Sequence, residues 1–152
     1  QGHGRIIQCS SVLGFVSMAY RGAYNASKYA IEGLTDTLRL ELKAANIAVV
    51  LLQPGPINTQ FRANALTAFQ SNIDINNSVH KAQYQQQIER LTSEKSNAAF
   101  TLEAIDVTKA LIHALESKRP KVRYRITTPT KIFAVLKRLL PSRWLDQLLA
   151  KG

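Results

Sequence analysis

The run IAVVLLQ (47–53), cut off by Pro54-Gly55-Pro56, constrains this chain more than any other feature. Continuous apolar residues, rich in β-branching and free of polar alternation, suit a strand buried on both faces, the condition of a parallel sheet. Parallel neighbours cannot be joined by a tight turn, so a crossover helix must accompany them. The sequence supplies one on the N-terminal side. GRIIQCSS (4–11) is a short apolar run ending in two serines and reads as a second buried strand. VLGFVSMAYRG (12–22) is loop-like. From 23 to about 45 the pattern turns helical: Ala30, Leu34, Leu38 and Leu42 recur every four residues, and Ile31 widens the apolar face. Asn46 is a suitable left-handed stop. Strand, loop, helix, strand is a βαβ unit, right-handed in nearly all proteins. The fold class is therefore α/β with a parallel sheet.

Beyond the second strand the text changes. Residues 60–100 are polar and rich in Asn, Gln and Ser, too long for a simple connection. They predict a binding insertion or lid, with a helix near 78–93. Thr101 is placed to cap a helix over 102–117, with Val107, Leu111 and Leu115 on its inner face. VRYRITT (122–128) alternates as an edge strand does. TKIFAVLKRLLPSRWLDQLLAKG (130–152) is an amphipathic helix broken near Pro141. The expected division is a domain over 1–128, with 60–100 as its binding loop region, and a basic helical tail over 129–152.

Cys9 is the only cysteine, so no internal disulfide forms and a reducing compartment, the cytoplasm, is expected. Its apolar strand predicts a buried packing role. His3, His80 and His113 lack ligand spacing, so no metal is expected. Twenty Lys and Arg oppose ten Asp and Glu, a net charge of +10, concentrated late in the chain at Lys118, Arg119, Lys121, Arg123, Arg125, Lys131, Lys137, Arg138, Arg143 and Lys151. No aromatic-interleaved surface or recognition motif supports nucleic acid as the partner. The tail reads first as a solvated helix face. Peripheral contact with a lipid surface through Trp144, Leu145, Leu148 and Leu149 is the second reading, and subunit packing the third.

In an open parallel sheet, ligands bind beyond the C-terminal ends of the strands. Two such ends are chemically distinctive here: Ser10-Ser11, and PGPINT (54–59). Between them the helix carries YNASK, which places Tyr24 and Lys28 one turn apart on one face. Alone, that pair is most simply an exposed Lys beside an amphipathic Tyr. An ammonium beside a phenol also favours the phenolate, drawing a pKa of about 10 toward working range. Such a Tyr serves as a general acid or base. A strand-end serine could bond the same substrate oxygen. The site would suit proton exchange with an alcohol or carbonyl. It would still need a hydride partner, which no side chain supplies and a nicotinamide does.

These pieces, in this order and spacing, resemble the C-terminal part of the short-chain dehydrogenase/reductase family: GRIIQCSS, the Tyr-x-x-x-Lys of YNASK, the following KYAIEGLTDTLRLEL, and PGPINT. The family's serine lies thirteen residues before its tyrosine, which selects Ser11 over Ser10. The resemblance implies a Rossmann-type doubly wound sheet, of which about three strands with their helices lie in this chain. It implies Tyr24 as general acid/base, Lys28 as its electrostatic partner and ribose ligand, and Ser11 as the residue orienting the substrate oxygen. Pro54, Gly55, Ile57 and Thr59 would line the nicotinamide pocket of NAD or NADP, with NADP favoured. The text around the tyrosine, with SKRPKVRYRITTPTK, resembles the branch holding steroid and retinol dehydrogenases, which implies a small apolar alcohol or carbonyl substrate. The helix bearing Tyr24 implies a homo-oligomer.

The family's glycine-rich phosphate loop, T-G-x-x-x-G-x-G, does not occur in this sequence, nor does its N-N-A-G segment. With no initiator Met and no apolar leader in QGHGRIIQ, the expectation is that residues precede Gln1, and that these 152 residues alone are inactive and fold poorly or associate. The alternative reading is a non-catalytic relative that keeps the fold, or a gene fragment.

Overall fold

The computed structural model describes residues 2–92 and 100–150. Its central feature is the run that the sequence singles out. β1 (Gly4–Cys9) leads through a 3₁₀ turn at Val12–Gly14 into α1 (Gly22–Glu41), and the chain returns as β2 (Ile47–Gln53). β1 and β2 are parallel, with Gly4 opposite Ile47 and Cys9 opposite Leu52. β2 lies in the middle of a three-stranded sheet, and from Val49 onward it is buried, Leu51 completely. A strand covered on both faces has no use for polar alternation, which is why the run is continuous.

α1 stops earlier than its apolar period suggests. A tighter 3₁₀ turn at Leu42–Ala45 completes the helical stretch, and Asn46 ends it at φ 52°, ψ 35°, the left-handed conformation foreseen for it. The helix face is also rotated from the expected one. Thr35 is fully buried, its hydroxyl donating to Ile31 O at 2.6 Å, whereas Leu34 is 53% exposed and Ala30 is exposed. A small side chain that satisfies itself on its own helix lets α1 sit close to the sheet, a role that the spacing of large residues does not signal.

β3 (Ile57–Asn58) follows, then α2 (Phe61–Asn72) and α3 (Lys81–Thr92). The predicted insertion is thus largely helical. α3 matches the helix expected near 78–93, while α2 went unforeseen because its first turns lack an apolar stripe. The end of the 60–100 segment falls partly outside the described residues. β4 (Leu102–Glu103) pairs in parallel with β3 in a separate two-stranded sheet, closing off the insertion at its base.

α4 (Ala104–Glu116) is capped by Glu103 rather than Thr101: Glu103 and Asp106 form a reciprocal capping box, with Asp106 Oδ2 accepting from Glu103 N at 3.3 Å. Val107 and Leu111 face the core as expected. Leu115 is half exposed, and the fully buried position is Ala114, packed with Val50, Leu52 and Tyr124. β5 (Arg123–Arg125) pairs in parallel with β2, Leu52 opposite Tyr124, at one edge of the sheet order β1-β2-β5. His113, given no role from sequence, bonds the Tyr124 hydroxyl at 2.7 Å and ties α4 to that strand.

α5 (Thr128–Leu139) and α6 (Ser142–Leu149) form the tail, separated at Pro141. The tail is not only a solvated face. Leu149, with Phe133 and Leu145, packs on Leu13, Val16 and Tyr24, beyond the end of β1. Lys137 Nζ donates to Phe15 O in the same loop. Its other basic groups, Lys131, Arg138 and Arg143, are exposed. Cys9, expected in the core, is exposed at the end of β1. β1 is only partly covered along its length, so its last residue meets solvent. No helix among the described residues is long and apolar enough to cross a membrane.

Candidate active site

Two backbone hydrogen bonds hold the ends of β1 and β2 in step: Ser10 N donates to Leu52 O at 2.9 Å, and Val12 N to Pro54 O at 2.8 Å. The two serines and the Pro-Gly-Pro segment therefore lie side by side, as the topology requires. Ser11 is buried and caps the 3₁₀ turn, its Oγ accepting from Leu13 N at 3.2 Å. That bond uses a lone pair and leaves the hydroxyl proton available. Ser10 is also buried, but its Oγ has no hydrogen-bond partner and points at Gly14, where any Cβ would collide with it. The burial of Ser10 beneath the turn and the cap made by Ser11 give the two hydroxyls different work.

Tyr24 and Lys28 are brought together. Lys28 Nζ lies 5.6 Å from the centroid of the Tyr24 ring and donates to Cys9 O at 3.1 Å. The ammonium is thus fixed to the end of β1, with two further donors unengaged by that bond. Tyr24 packs on the cluster of Leu13, Val16 and Leu149, two residues on from Ser11. Phe61, at the start of α2, also packs on it, ring centroids 5.4 Å apart. Among the described residues no hydrogen bond joins the Ser11 and Tyr24 hydroxyls.

The strand-end segment has structural work of its own. A Cβ on Gly55 would overlap Thr127 Oγ1 and lie 2.7 Å from Thr130 Oγ1, so only glycine fits where the start of α5 crosses. Thr127 and Thr130 are both fully buried, bonded to each other at 2.9 Å. Ile57 sits in β3 opposite Leu102. Thr59 Oγ1 accepts from Phe61 N at 3.3 Å, so it helps to open α2.

Sequence reasoning missed several contributors. Asn25, buried inside YNASK itself, donates from Nδ2 to Met18 O at 3.0 Å and pins the loop ahead of Tyr24. Gln53, buried at the end of β2, donates to Glu32 Oε1 at 2.8 Å. Glu32 in turn meets Arg123 Nε at 3.5 Å, and Arg123 reaches Asp36 at 2.5 Å, locking α1 to β5 behind the site. Desolvation alone would push the Asp36 carboxyl up. The hydrogen bonds and charges of Arg39 and Arg123 outweigh it and hold the group below the usual carboxylate range. The signal for Gln53 and Glu32 was present: a polar residue closing an apolar strand, and an acid on the helix that covers it.

The comparisons with known proteins bear on this geometry. A family model described as "short chain dehydrogenase" matches residues 1–69, the stretch that builds β1, α1, β2 and their ends. Over these residues the chain is similar to the short-chain dehydrogenase/reductase family. It is 41% identical to an uncharacterized oxidoreductase of Escherichia coli, YbbO, over 97% of this chain and 49% of that protein. It is 32% identical to the NADPH-dependent 3-dehydrocapnine reductase of Ornithobacterium rhinotracheale, over 97% of this chain and 50% of that protein. A solved short-chain dehydrogenase/reductase from Burkholderia phymatum, in complex with NAD, superposes with a TM-score of 0.62 at 26% identity, covering 97% of this chain and 49% of that one. The chain thus spans about half the length of the curated relatives it matches. The fold is part of a Rossmann-type α/β sheet, as the sequence implies.

Proposed function

We propose that this chain carries the proton-transfer half of an NAD(P)-dependent oxidoreductase that interconverts an apolar alcohol and its aldehyde or ketone. The observation that carries the reading is the Tyr24–Lys28 pair, with the Lys28 ammonium fastened to Cys9 O at the C-terminal end of a parallel strand. That is where an open α/β sheet binds ligands. Tyr24 is the general acid/base, giving its proton to a carbonyl oxygen or taking one from an alcohol. Lys28, beside the ring, stabilises negative charge on the phenolic oxygen and has donors left for a ribose. Ser11, whose Oγ keeps its proton after accepting from Leu13 N, donates to the substrate oxygen and orients it.

The residues present fit one end of a nicotinamide cofactor. A half-buried strand-end segment with a glycine, an ammonium with donors left and no carboxylate among the site residues suit a ribose and a carboxamide. Pro54, Gly55, Ile57 and Thr59 would line that pocket. A nicotinamide ring, when bound, supplies or accepts the hydride. That cofactor is NAD or NADP. The NADPH-dependent relative and the net charge of +10 favour NADP. The steroid and retinol dehydrogenase branch is the substrate reading supported by the apolar covering of Tyr24. Leu34, Leu40 and Tyr29, all exposed on α1, support a homo-oligomer through that helix. Trp144 and Leu148, exposed beside Arg143, support peripheral membrane contact.

Tyr24→Phe tests the reading in the protein as its gene encodes it. Turnover of a carbonyl substrate falls by about 10²–10⁴-fold, the share that a positioned acid/base contributes. Cofactor affinity, measured by quenching of intrinsic fluorescence, changes little. Undiminished turnover in that variant removes Tyr24 from the mechanism.

A further inference from the structure

A second group of polar side chains lies beside Tyr24 and has no part in the proton transfer. Arg21 is the residue before α1, three positions ahead of Tyr24. The chain reaches it through Tyr20, a non-glycine residue at φ 59°. Such a conformation persists only where its surroundings fix it. They do so here: the Tyr20 ring packs edge-on against His80 at 5.9 Å and Tyr84 at 6.0 Å, and Tyr84 meets Phe69 of α2 at 5.5 Å. An aromatic cluster built by the insertion therefore sets where Arg21 stands.

What Arg21 bonds is chemically poor. Its Nη1 donates to Met18 Sδ at 3.0 Å, a weak acceptor, and its Nε is buried with no partner at all. Arg62 comes from the first turn of α2, next to the Phe61 ring that covers Tyr24. It donates from Nη2 to Arg90 O at 2.6 Å and has its other donors left. The two guanidiniums feel each other. Burial, then the charge of Arg62, push Arg21 below its ordinary pKa, while Tyr24 pulls the other way. Arg90, behind them, is lowered to about 10 by burial and by the charges of Arg21 and Arg62. Among the described residues no carboxylate forms an ion pair with Arg21 or Arg62. Two like charges such as those of Arg21 and Arg62, gathered in a partly desolvated place, oppose folding unless something neutralises them.

We propose that Arg21 and Arg62 form an anion-recognition subsite beside Tyr24, which takes the acidic head group of an amphiphilic ligand. The group is a carboxylate, sulfonate or phosphate, each matching the guanidinium fork. The ligand's apolar body lies along Phe61 and the aromatic cluster of Tyr20 and Tyr84. That this ligand is the substrate rests on the oxidoreductase reading above; the anion contact itself does not.

The test is binding to the protein as its gene encodes it, with octanoate, octanesulfonate and 1-octanol as probes of equal chain length. By calorimetry, both anions bind at least about tenfold tighter than the alcohol, the worth of one charge-assisted hydrogen bond. Added salt weakens the anions and not the alcohol. Arg21→Gln and Arg62→Gln each erase the preference, and Arg62→Lys, which keeps the charge but not the fork, retains part of it. Equal binding of all three probes by the unaltered protein, or no binding of any, overturns the proposal, as does an undiminished preference in both Gln variants. Tyr24→Phe keeps the head-group preference, so loss of turnover and loss of anion recognition are read separately.

Discussion

Gly55 shows how one residue can serve both the scaffold and the site. The sequence reads Pro54-Gly55-Pro56 as the end of a strand, and ordinary turn chemistry would explain it. The structure adds a steric requirement. The Thr127–Thr130 hydroxyl pair, fully buried at the start of α5, leaves no room for a Cβ. Gly55→Ala must push that pair away or shift the strand end, and overpacking of this kind costs about 1–3 kcal/mol. Denaturant unfolding of the variant will show a lowered midpoint of that size. The same change in a glycine with open space around it, Gly33→Ala in mid-helix, should be neutral or mildly stabilising. If the two variants behave alike, close approach is not why Gly55 is there.

At the scale of elements, the legible parts are those where one local rule acts alone. β2 was legible because burial on both faces permits only apolar residues. Asn46 was legible because so few residues take a left-handed stop. The Tyr24–Lys28 pair was legible because helix geometry fixes i and i+4. The rest depended on tertiary contact. Leu34 fits a helical period and yet faces outward, since Thr35 makes the close contact with the sheet. Thr101 is a good cap by type, but the Glu103–Asp106 box lies where the helix starts. The docking of α6 on Leu13 and Val16 could not be read from its own stripe, which would suit a lipid surface equally well. That docking is separable by neighbouring substitutions. Leu149 is 8% exposed and Leu148 43%. Leu149→Ala is expected to destabilise by roughly 2–3 kcal/mol through the lost transfer energy and the cavity. Leu148→Ala should stay within about 0.5 kcal/mol. Equal effects would mean that α6 does not hold this position.

For the whole molecule, the sheet decides how the chain behaves by itself. Among the described residues β2 is paired on both sides, whereas β1 is paired only with β2. β1 is half-buried along most of its length and carries Ile6 and Ile7 in its middle. A partly covered apolar strand with an open row of backbone donors and acceptors is a template for pairing with another chain. The exposed Leu34 and Leu40 on α1 add apolar surface of the same kind. The net charge of +10 opposes association, but the charges of the 118–125 stretch and of the tail are screened over about 10 Å at ordinary ionic strength, and the sheet edge is not. Residues 1–152 made alone should therefore self-associate, more so as salt rises. Light scattering across a concentration series, at low and at high salt, would show mass growing in both directions. A mass that stays at 16.9 kDa throughout, together with a cooperative thermal transition, would mean that β1 is satisfied without a partner.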